Sequence, residues 1–139
     1  IEGESAAAGR IHAAIGTEAH LSGDPVKPPA VILSGGETVV RVTGDGTGGP
    51  NQEFALAAAM GLPESAVLGS VDTDGGDGGT DAAGALVDGG TVEDVEAARE
   101  ALDTNDSYPD LEARDGLLKT GATGTNVNDL RVLVIPAER

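Results

Sequence analysis

The chain of 139 residues contains no cysteine and no tryptophan, and it has only one phenylalanine and one tyrosine. Without cysteine, neither a disulfide nor a thiolate metal site can form. The core must therefore be built from small aliphatic residues, and the hydrophobic content of 39% is compatible with folding. The length suits one domain with a modest core and is short for a complete two-substrate enzyme.

Basic residues are also scarce. The chain has 24 acidic residues against 8 basic ones, and only Lys27 and Lys119 are lysines, so the formal net charge is −16. Such a surface repels nucleic acid and anionic membranes, and neither is expected as a partner. No apolar run is long enough to span a bilayer. Because the chain starts at Ile1 and not at a methionine, we expect a fragment of a longer protein.

Abundant acid, little lysine and small apolar side chains together indicate adaptation to a high-salt cytoplasm. Charge repulsion that would destabilise a compact state in dilute buffer is screened at high ionic strength. We therefore expect a cytoplasmic protein of an extreme halophile. The sequence leaves the oligomeric state open, a homo-oligomer included.

Hydrophobic periodicity predicts an α/β fold with a mixed β-sheet flanked by helices. Helices are expected over residues 5–21, 51–61, from 91 to 102, and 105–113, and strands over residues 30–33, 38–43, 66–71, 83–87 and 130–135. The Gly35-Gly36 pair is expected to join the first two strands as a hairpin. Cap positions are assigned to Asn51, to Thr91 with Asp94, and to Asn105 or Ser107.

Three polar segments are candidates for ligand binding. Gly44-x-Gly46-x-x-Gly49 matches the dinucleotide-binding spacing, but a lone match is weak and a tight turn feeding a helix explains it equally well. Residues 72–81 hold four aspartates separated mainly by glycine. They fail the calcium EF-hand pattern, which leaves a magnesium–nucleotide role or a solvated turn. Residues 120–129 are rich in threonine and asparagine, which suits hydroxyl or phosphate recognition or simple self-bonded turns.

Six segments together resemble the carboxy-terminal MOFRL domain of class II glycerate 2-kinases, a family whose members are often labelled hydroxypyruvate reductases. In order, they are residues 35–38 (GGET), 48–53 (GGPNQE), 73–78 (TDGGDG), 80–85 (TDAAGA), 105–108 (NDSY) and 123–130 (TGTNVNDL). The resemblance implies that residues 30–139 form the smaller α/β domain of a two-domain enzyme, and that residues 1–29 are a helix and linker from a larger Rossmann-like domain. Pro50 departs from the arginine that we expect in many relatives, so anion binding by this segment is in doubt.

The resemblance implies ATP-dependent phosphorylation of D-glycerate to 2-phosphoglycerate with Mg²⁺, at a site between the two domains. This chain alone would then be inactive. Mapped onto this sequence by chemistry, the catalytic candidates are Asp74, Asp77 and Asn126, with Asp74 and Asp77 also holding the metal. The candidates for binding substrate or phosphate are Gly48, Gly49, Asn51, Glu53, Asp81, Thr125 and Asn128.

Two other functions compete with the kinase. The family label and the glycine spacing both invite an NAD(P)-dependent hydroxypyruvate reductase, although none of the three polar segments contains a histidine that could donate a proton. The other alternative is a non-catalytic ligand-binding domain that acts only with a partner domain.

The halophile interpretation makes a prediction about stability. We expect the free energy of unfolding to rise strongly between dilute buffer and concentrated KCl, because at about 1 M salt the Debye length falls to ~3 Å. Urea unfolding followed by circular dichroism measures this. Sucrose is the control, because it favours compact states without screening charge. Equal stability in dilute buffer and in KCl would contradict the interpretation.

Overall fold

The computed structural model describes residues 1–137, which form six strands and four helices. The strands are β1 (Glu2–Glu4), β2 (Ala30–Val39), β3 (Val67–Asp72), β4 (Gly84–Asp88), β5 (Leu117–Leu118) and β6 (Asp129–Ile135). The helices are α1 (Ser5–Ser22), α2 (Pro50–Ala59), α3 (Val95–Asp103) and α4 (Ser107–Ala113). The predicted domain end at residue 139 lies outside the described residues.

All six strands belong to one sheet, in the order β1-β2-β6-β3-β4-β5. Strand β1 pairs in parallel with β2, and the other pairs are antiparallel. The predicted mixed sheet with helices packed against it is therefore confirmed. Among residues 1–137, no helix combines the length and apolarity needed to cross a membrane.

The pairing register separates the sheet into two faces. Ile32, Leu133 and Leu68 are aligned across β2, β6 and β3, and they pack in one core with residues of all four helices. We call this the inner face. Leu33 and Val132 are aligned on the opposite side, the outer face, and neither belongs to this core. Helix α1 belongs to the same core, and the predicted domain boundary between residues 29 and 30 stays a prediction.

The first predicted hairpin is wrong, because Gly35 and Gly36 lie inside one continuous strand, β2. These glycines allow the start of the chain to approach β2: the Ile1 amino group donates to Gly35 O at 2.9 Å, and Glu37 N donates to Ile1 O at 3.0 Å. Gly36 has φ of +117°, and a side chain there would overlap the backbone of Ile1. The glycine pair therefore serves close strand approach, and residues 40–43 lie outside any strand.

Several predicted caps are also wrong. Helix α3 begins at Val95 and not at residue 91, and Asp94 alone caps it by accepting from the Glu96 and Ala97 amides at 3.1 Å each. No side chain caps α4. The Asn105 side chain instead accepts from a loop 62 residues away in sequence. Long-range contacts thus use polar side chains that local patterns assign to helix starts.

Helices α1 and α2 approach closely at Gly9, where an added Cβ would overlap the Phe54 carbonyl oxygen. We expect Gly9→Ala to destabilise the fold by about 1–3 kcal/mol, the usual cost of overpacking, despite the better helix propensity of alanine. The matched control is Gly16→Ala on the same helix, where the new Cβ meets the flexible end of Leu133 at 3.0 Å. Urea unfolding measures both, and equal effects of the two substitutions would contradict the packing argument.

Candidate functional site

The three polar segments meet at one end of the sheet. At that end β3 finishes at Asp72 and β6 starts at Asp129, and these two residues are register partners. We call residues 44–49 the glycine loop, residues 72–81 the aspartate loop and residues 120–129 the threonine loop. The aspartate loop follows β3, the threonine loop precedes β6, and the glycine loop leads into α2. The antiparallel pairing of β3 with β6 therefore puts two of the loops side by side.

Backbone and hydroxyl hydrogen bonds join the aspartate and threonine loops. The Thr73 amide donates to Asn128 O at 3.0 Å, and its hydroxyl donates to the same oxygen at 2.7 Å. The Thr123 amide donates to Asp74 O at 3.1 Å. As a result Asn126 Nδ2 lies 3.3 Å from Asp74 Oδ2. Two predicted catalytic residues therefore touch each other.

The Asp74–Asn126 pair lies at the surface. Asp74 is half-buried, and its other oxygen accepts from the Gly76 amide at 2.8 Å. Asn126 is exposed, as are the predicted binding residues Thr125 and Asn128. A ligand can reach these side chains without any rearrangement of the core.

Asp77 has a different position: its side chain is buried, with 1% exposure. Its carboxylate accepts from the Asn51 amide at 3.1 Å and from the Gln52 amide at 3.0 Å, and thereby caps the start of α2. Burial raises the pKa of Asp77, and these hydrogen bonds oppose the increase. The sequence assigned the cap to Asn51; the structure gives it to a residue from another loop.

Asn51 is the point where the buried groups of the site connect. Its side-chain amide donates to Asp77 Oδ1 at 3.1 Å and to Asp129 Oδ1 at 2.8 Å. Its oxygen accepts from the Ser70 hydroxyl at 2.7 Å. A ligand cannot contact Asn51 directly in this arrangement, because the side chain is only 1% exposed.

Sequence reasoning missed Asp129 and Arg131, which form a buried ion pair at 2.7 Å. Arg131 is 1% exposed and lies over the Phe54 ring at 4.5 Å. Its Nη2 donates to both Asp129 and Thr38, whereas Nε and Nη1 lack a partner among the described residues. One signal was available: Arg131 is the single charged residue of the predicted strand 130–135, at a position that alternation places on the inner face.

The glycine loop is fastened to the connection between α3 and α4. Asn105 Oδ1 accepts from the Thr43 and Gly44 amides at 2.7 and 2.8 Å. The amides of Gly46 and Thr47 donate to backbone and side-chain oxygens of residues 104 and 106 at 2.9 Å each. These amides are therefore occupied, and the dinucleotide-like spacing is explained by packing.

Gly48 and Gly49, the predicted phosphate-binding glycines, lie against the rest of the protein. A side chain at Gly48 would overlap the Ser107 hydroxyl, and one at Gly49 would overlap the Asp77 carboxylate. An anion at this helix start would meet the negative charge of Asp77. Phosphate binding by these glycines stays a prediction, and this charge opposes it.

Glu53 points away from the Asp74–Asn126 pair. It lies two residues beyond Asn51 in α2, so the two side chains leave opposite sides of the helix. Glu53 is 4% exposed, and its Oε1 accepts from Asn105 Nδ2 at 2.8 Å. Burial raises the pKa of Glu53, which this hydrogen bond partly offsets.

Asp81, at the far end of the aspartate loop, is exposed. Its carboxylate accepts from the Tyr108 hydroxyl at 2.7 Å and lies 3.3 Å from Lys119 Nζ. These two partners lower the pKa of Asp81. Lys119 directly precedes the threonine loop, so this contact ties the outer ends of the two loops together.

The carboxylates best placed to bind a metal ion are those of Asp72 and Asp74. Within residues 1–137, no group of three or more histidine or acidic side chains is placed to hold an ion. Asp72 Oδ1 accepts from the Asp74 amide at 3.2 Å, and both residues are half-buried. Burial raises the pKa of Asp72, and the nearby charges of Asp74 and Asp129 raise it further. Mg²⁺ commonly takes one or two carboxylates and completes its shell with phosphate oxygens and water, so this pair fits it.

The fold and these loops define a small mixed α/β domain with a polar edge formed by three loops. Residues 30–129 match the MOFRL family, and the chain belongs to that family. It is 49% identical to the D-glycerate 2-kinase of Thermotoga maritima over 95% of this chain and 33% of that protein. It is 42% identical to a putative hydroxypyruvate reductase of Agrobacterium vitis over 97% of this chain and 37% of that protein.

A solved structure shows the same fold. The crystal structure of glycerate kinase from Thermotoga maritima superimposes with a TM-score of 0.93 at 48% identity, over 97% of this chain and 34% of that one. The chain thus spans about a third of the length of these relatives.

The burial of the Glu53 carboxylate leads to a prediction about how the free energy of unfolding depends on pH. Because its pKa is raised above the ordinary 4.5, the folded chain loses stability as Glu53 ionises, that is, as the pH rises through the folded-state pKa. Glu53→Gln removes this charge while keeping an oxygen for Asn105. We therefore expect the variant to gain stability relative to wild type as the pH rises from 4.5 through the folded-state pKa of Glu53.

Urea midpoints at constant ionic strength measure this difference. The control is Glu93→Gln, which removes an exposed carboxylate and should leave the difference from wild type constant with pH. A constant difference for Glu53→Gln would contradict the prediction.

Proposed function

We propose that this chain is part of an ATP-dependent D-glycerate 2-kinase. The 2-hydroxyl oxygen of D-glycerate attacks the γ-phosphorus of ATP, the bond from that phosphorus to the ADP oxygen breaks, and the hydroxyl proton is released to water as 2-phosphoglycerate and ADP form. The observation that carries the proposal is the accessible Asp74–Asn126 pair, 3.3 Å apart, in a chain 49% identical to a D-glycerate 2-kinase.

The exposed residues are the ones proposed to meet the substrates. Asp74 accepts a hydrogen bond from the glycerate hydroxyl, and the Asn126 amide donates to an anionic oxygen of glycerate or phosphate. Thr125 and Asn128, on the same exposed loop, add neutral donors and acceptors. Phosphoryl transfer depends mainly on such positioning and on neutralisation of charge, so no covalent catalyst is required.

The buried residues are proposed to position this pair without touching substrate. Asp77 holds the aspartate loop on α2, and Asn51 connects Asp77 to Asp129 at the start of β6. This revises the contact roles first assigned to Asp77 and Asn51. Gly48, Gly49, Glu53 and Asp81 are assigned the same supporting function, since their observed contacts hold loops to helices.

Asp72 and Asp74 are proposed to hold Mg²⁺. A bound divalent ion neutralises charge on the nucleotide phosphates. Without such an ion, the two neighbouring carboxylates would together present negative charge that repels ATP. Asp72 thus replaces Asp77 in the proposed ligand pair, because both Asp77 oxygens already accept hydrogen bonds from α2.

The chain supplies few cations for two anionic substrates. Its net charge is −16, and Arg131 beside the loops is buried against Asp129. The remaining cationic groups are proposed to come from the larger Rossmann-like domain of the longer protein, across a cleft. The acidic composition fits a halophilic source, in whose cytoplasm salt would weaken repulsion between this surface and ATP.

Substitutions in the full-length protein separate the catalytic from the positioning role. We expect Asp74→Asn and Asn126→Ala to lower kcat/KM by about 10²-fold or more with little change in Tm, because both side chains lie at the surface. Asp77→Asn should instead lower the free energy of unfolding by about 1–3 kcal/mol, because one oxygen that caps α2 becomes a donor. The assay follows glycerate-dependent ADP formation in high salt with Mg²⁺.

Glu93→Gln, an exposed change on a distant connection, is the matched control and should leave both readouts unchanged. Full activity of Asp74→Asn would contradict the assignment of Asp74 to the active site. Oxidation of NADH by hydroxypyruvate without ADP formation would replace the kinase by the reductase that some relatives are named for. Glycerate or ATP binding without either reaction would indicate a ligand-binding domain.

A further inference from the structure

The outer face of the sheet is apolar and open. Leu33 is 66% exposed, Val31 59%, Leu86 48% and Val134 38%. The register aligns Val31 with Val134, and Leu33 with Val132, so these side chains are neighbours across the strands. Next to them, side chains of β3, β4, β5 and β6, among them Leu86, Leu130 and Val134, line a shallow hollow of about 260 Å³. Contiguous apolar patches of this kind mark interaction sites on soluble proteins.

This face contrasts with the composition of the chain. The chain has 24 acidic residues, yet the centre of the outer face carries none of them. Acidic side chains lie at its margins: Glu2 and Glu4 on the edge strand β1, Glu37 near the end of β2, and Asp88 at the end of β4. An antiparallel sheet can leave one face in water, but its strands then alternate apolar residues inside with polar residues outside. In β6 and β2 apolar side chains occupy both faces, which is the pattern of a sheet that is covered on both sides.

Its size favours a covering element from the same polypeptide. Four strands at ~4.8 Å spacing and about six residues at ~3.3 Å rise give a footprint of roughly 400 Å². Stable interfaces between separate proteins bury about 800 Å² on each partner, whereas contacts between domains of one chain need only roughly 300–750 Å² a side. A tethered partner also gains from a high effective concentration.

A second copy of this chain fits the face poorly. Face-to-face pairing would bring together two chains of net charge −16 each, with the acidic margins at Glu37 and Asp88 opposed to acidic margins. Like charges in such positions destabilise association wherever salt does not screen them. The relatives, in contrast, extend well beyond the matched third of their length, which is chain enough for a further domain.

We infer that the outer face docks an amphipathic helical surface from the part of the longer protein outside these residues. That surface carries an aliphatic stripe over Leu33 and Leu86, with lysine or arginine opposite Glu37 and Asp88. The inference rests on family membership and on the sheet, and it holds whether or not the protein is a kinase.

Thiol labelling in the full-length protein tests this inference. Leu33→Cys places a thiol on the outer face of a chain that has no cysteine of its own, and any cysteine elsewhere in the full-length protein is replaced by serine. The control is Leu21→Cys on α1, where the native side chain is 75% exposed. We expect a maleimide to label Leu33→Cys at least about tenfold more slowly than Leu21→Cys, with equal rates in denaturant.

Protein concentration identifies the occupant. Protection that persists on dilution, with the sedimentation mass of one chain, supports the inference. Equal labelling of the two folded variants would overturn it, since the face would then be open. Protection that disappears as a dimer dissociates would overturn it too, in favour of a second copy. Val134→Cys, on the neighbouring strand, provides a second reporter if Leu33→Cys folds poorly.

Discussion

The side-chain amide of Asn51 lies between two buried carboxylates, and the meeting of the three loops depends on it. Asp77 and Asp129 both accept from Asn51 Nδ2, and each would otherwise be a buried charge near another of the same sign, which is strongly unfavourable. Arg131 compensates one of them directly, and the first amides of α2 compensate the other. Few other residues could take the place of Asn51, because this position needs a donor for two carboxylates and an acceptor for the Ser70 hydroxyl.

This buried network explains why an edge made of loops can hold a defined geometry. The aspartate loop is rich in glycine, which gives it conformational freedom that folding must remove. Fixing Asp77 to α2 and Asp129 to Arg131 ties down both ends of the edge, and the threonine hydroxyls close the gap between them. The Asp74–Asn126 pair and the neighbouring residues of the threonine loop are then left facing solvent. Stability is concentrated in the buried groups, and chemistry is left to the exposed ones.

Periodicity was enough to place α1, α2, β3, β4 and β6 to within a few residues, because each has a strong local pattern. It failed at β2, where Gly35-Gly36 has the composition of a turn but provides room for Ile1. It also missed β1 and β5, which are too short to carry a pattern and depend on pairing with distant residues. The role of Asp77 was likewise hidden, because a cap supplied from 25 residues away leaves no local signal. The three loops were brought together by family resemblance, and no spacing rule predicts that contact.

Two incomplete surfaces of the chain share a border. The polar edge lacks cations for anionic substrates, and the outer face lacks a cover. Asp129 and Leu130 are consecutive in β6: the first faces inward beside Asn51, and the second faces the outer side, 43% exposed. Successive strand residues alternate between faces and are only about 3.3 Å apart along the strand. An element that covers Leu130 therefore lies within a few ångströms of Asp129 and the polar edge. One docked region can therefore bury the aliphatic face and bring positive charge to Asp74 and Asn126. Hydrophobic contact with the outer face would fix the position of the docked region, and the acidic polar edge would favour a docked region that carries positive charge.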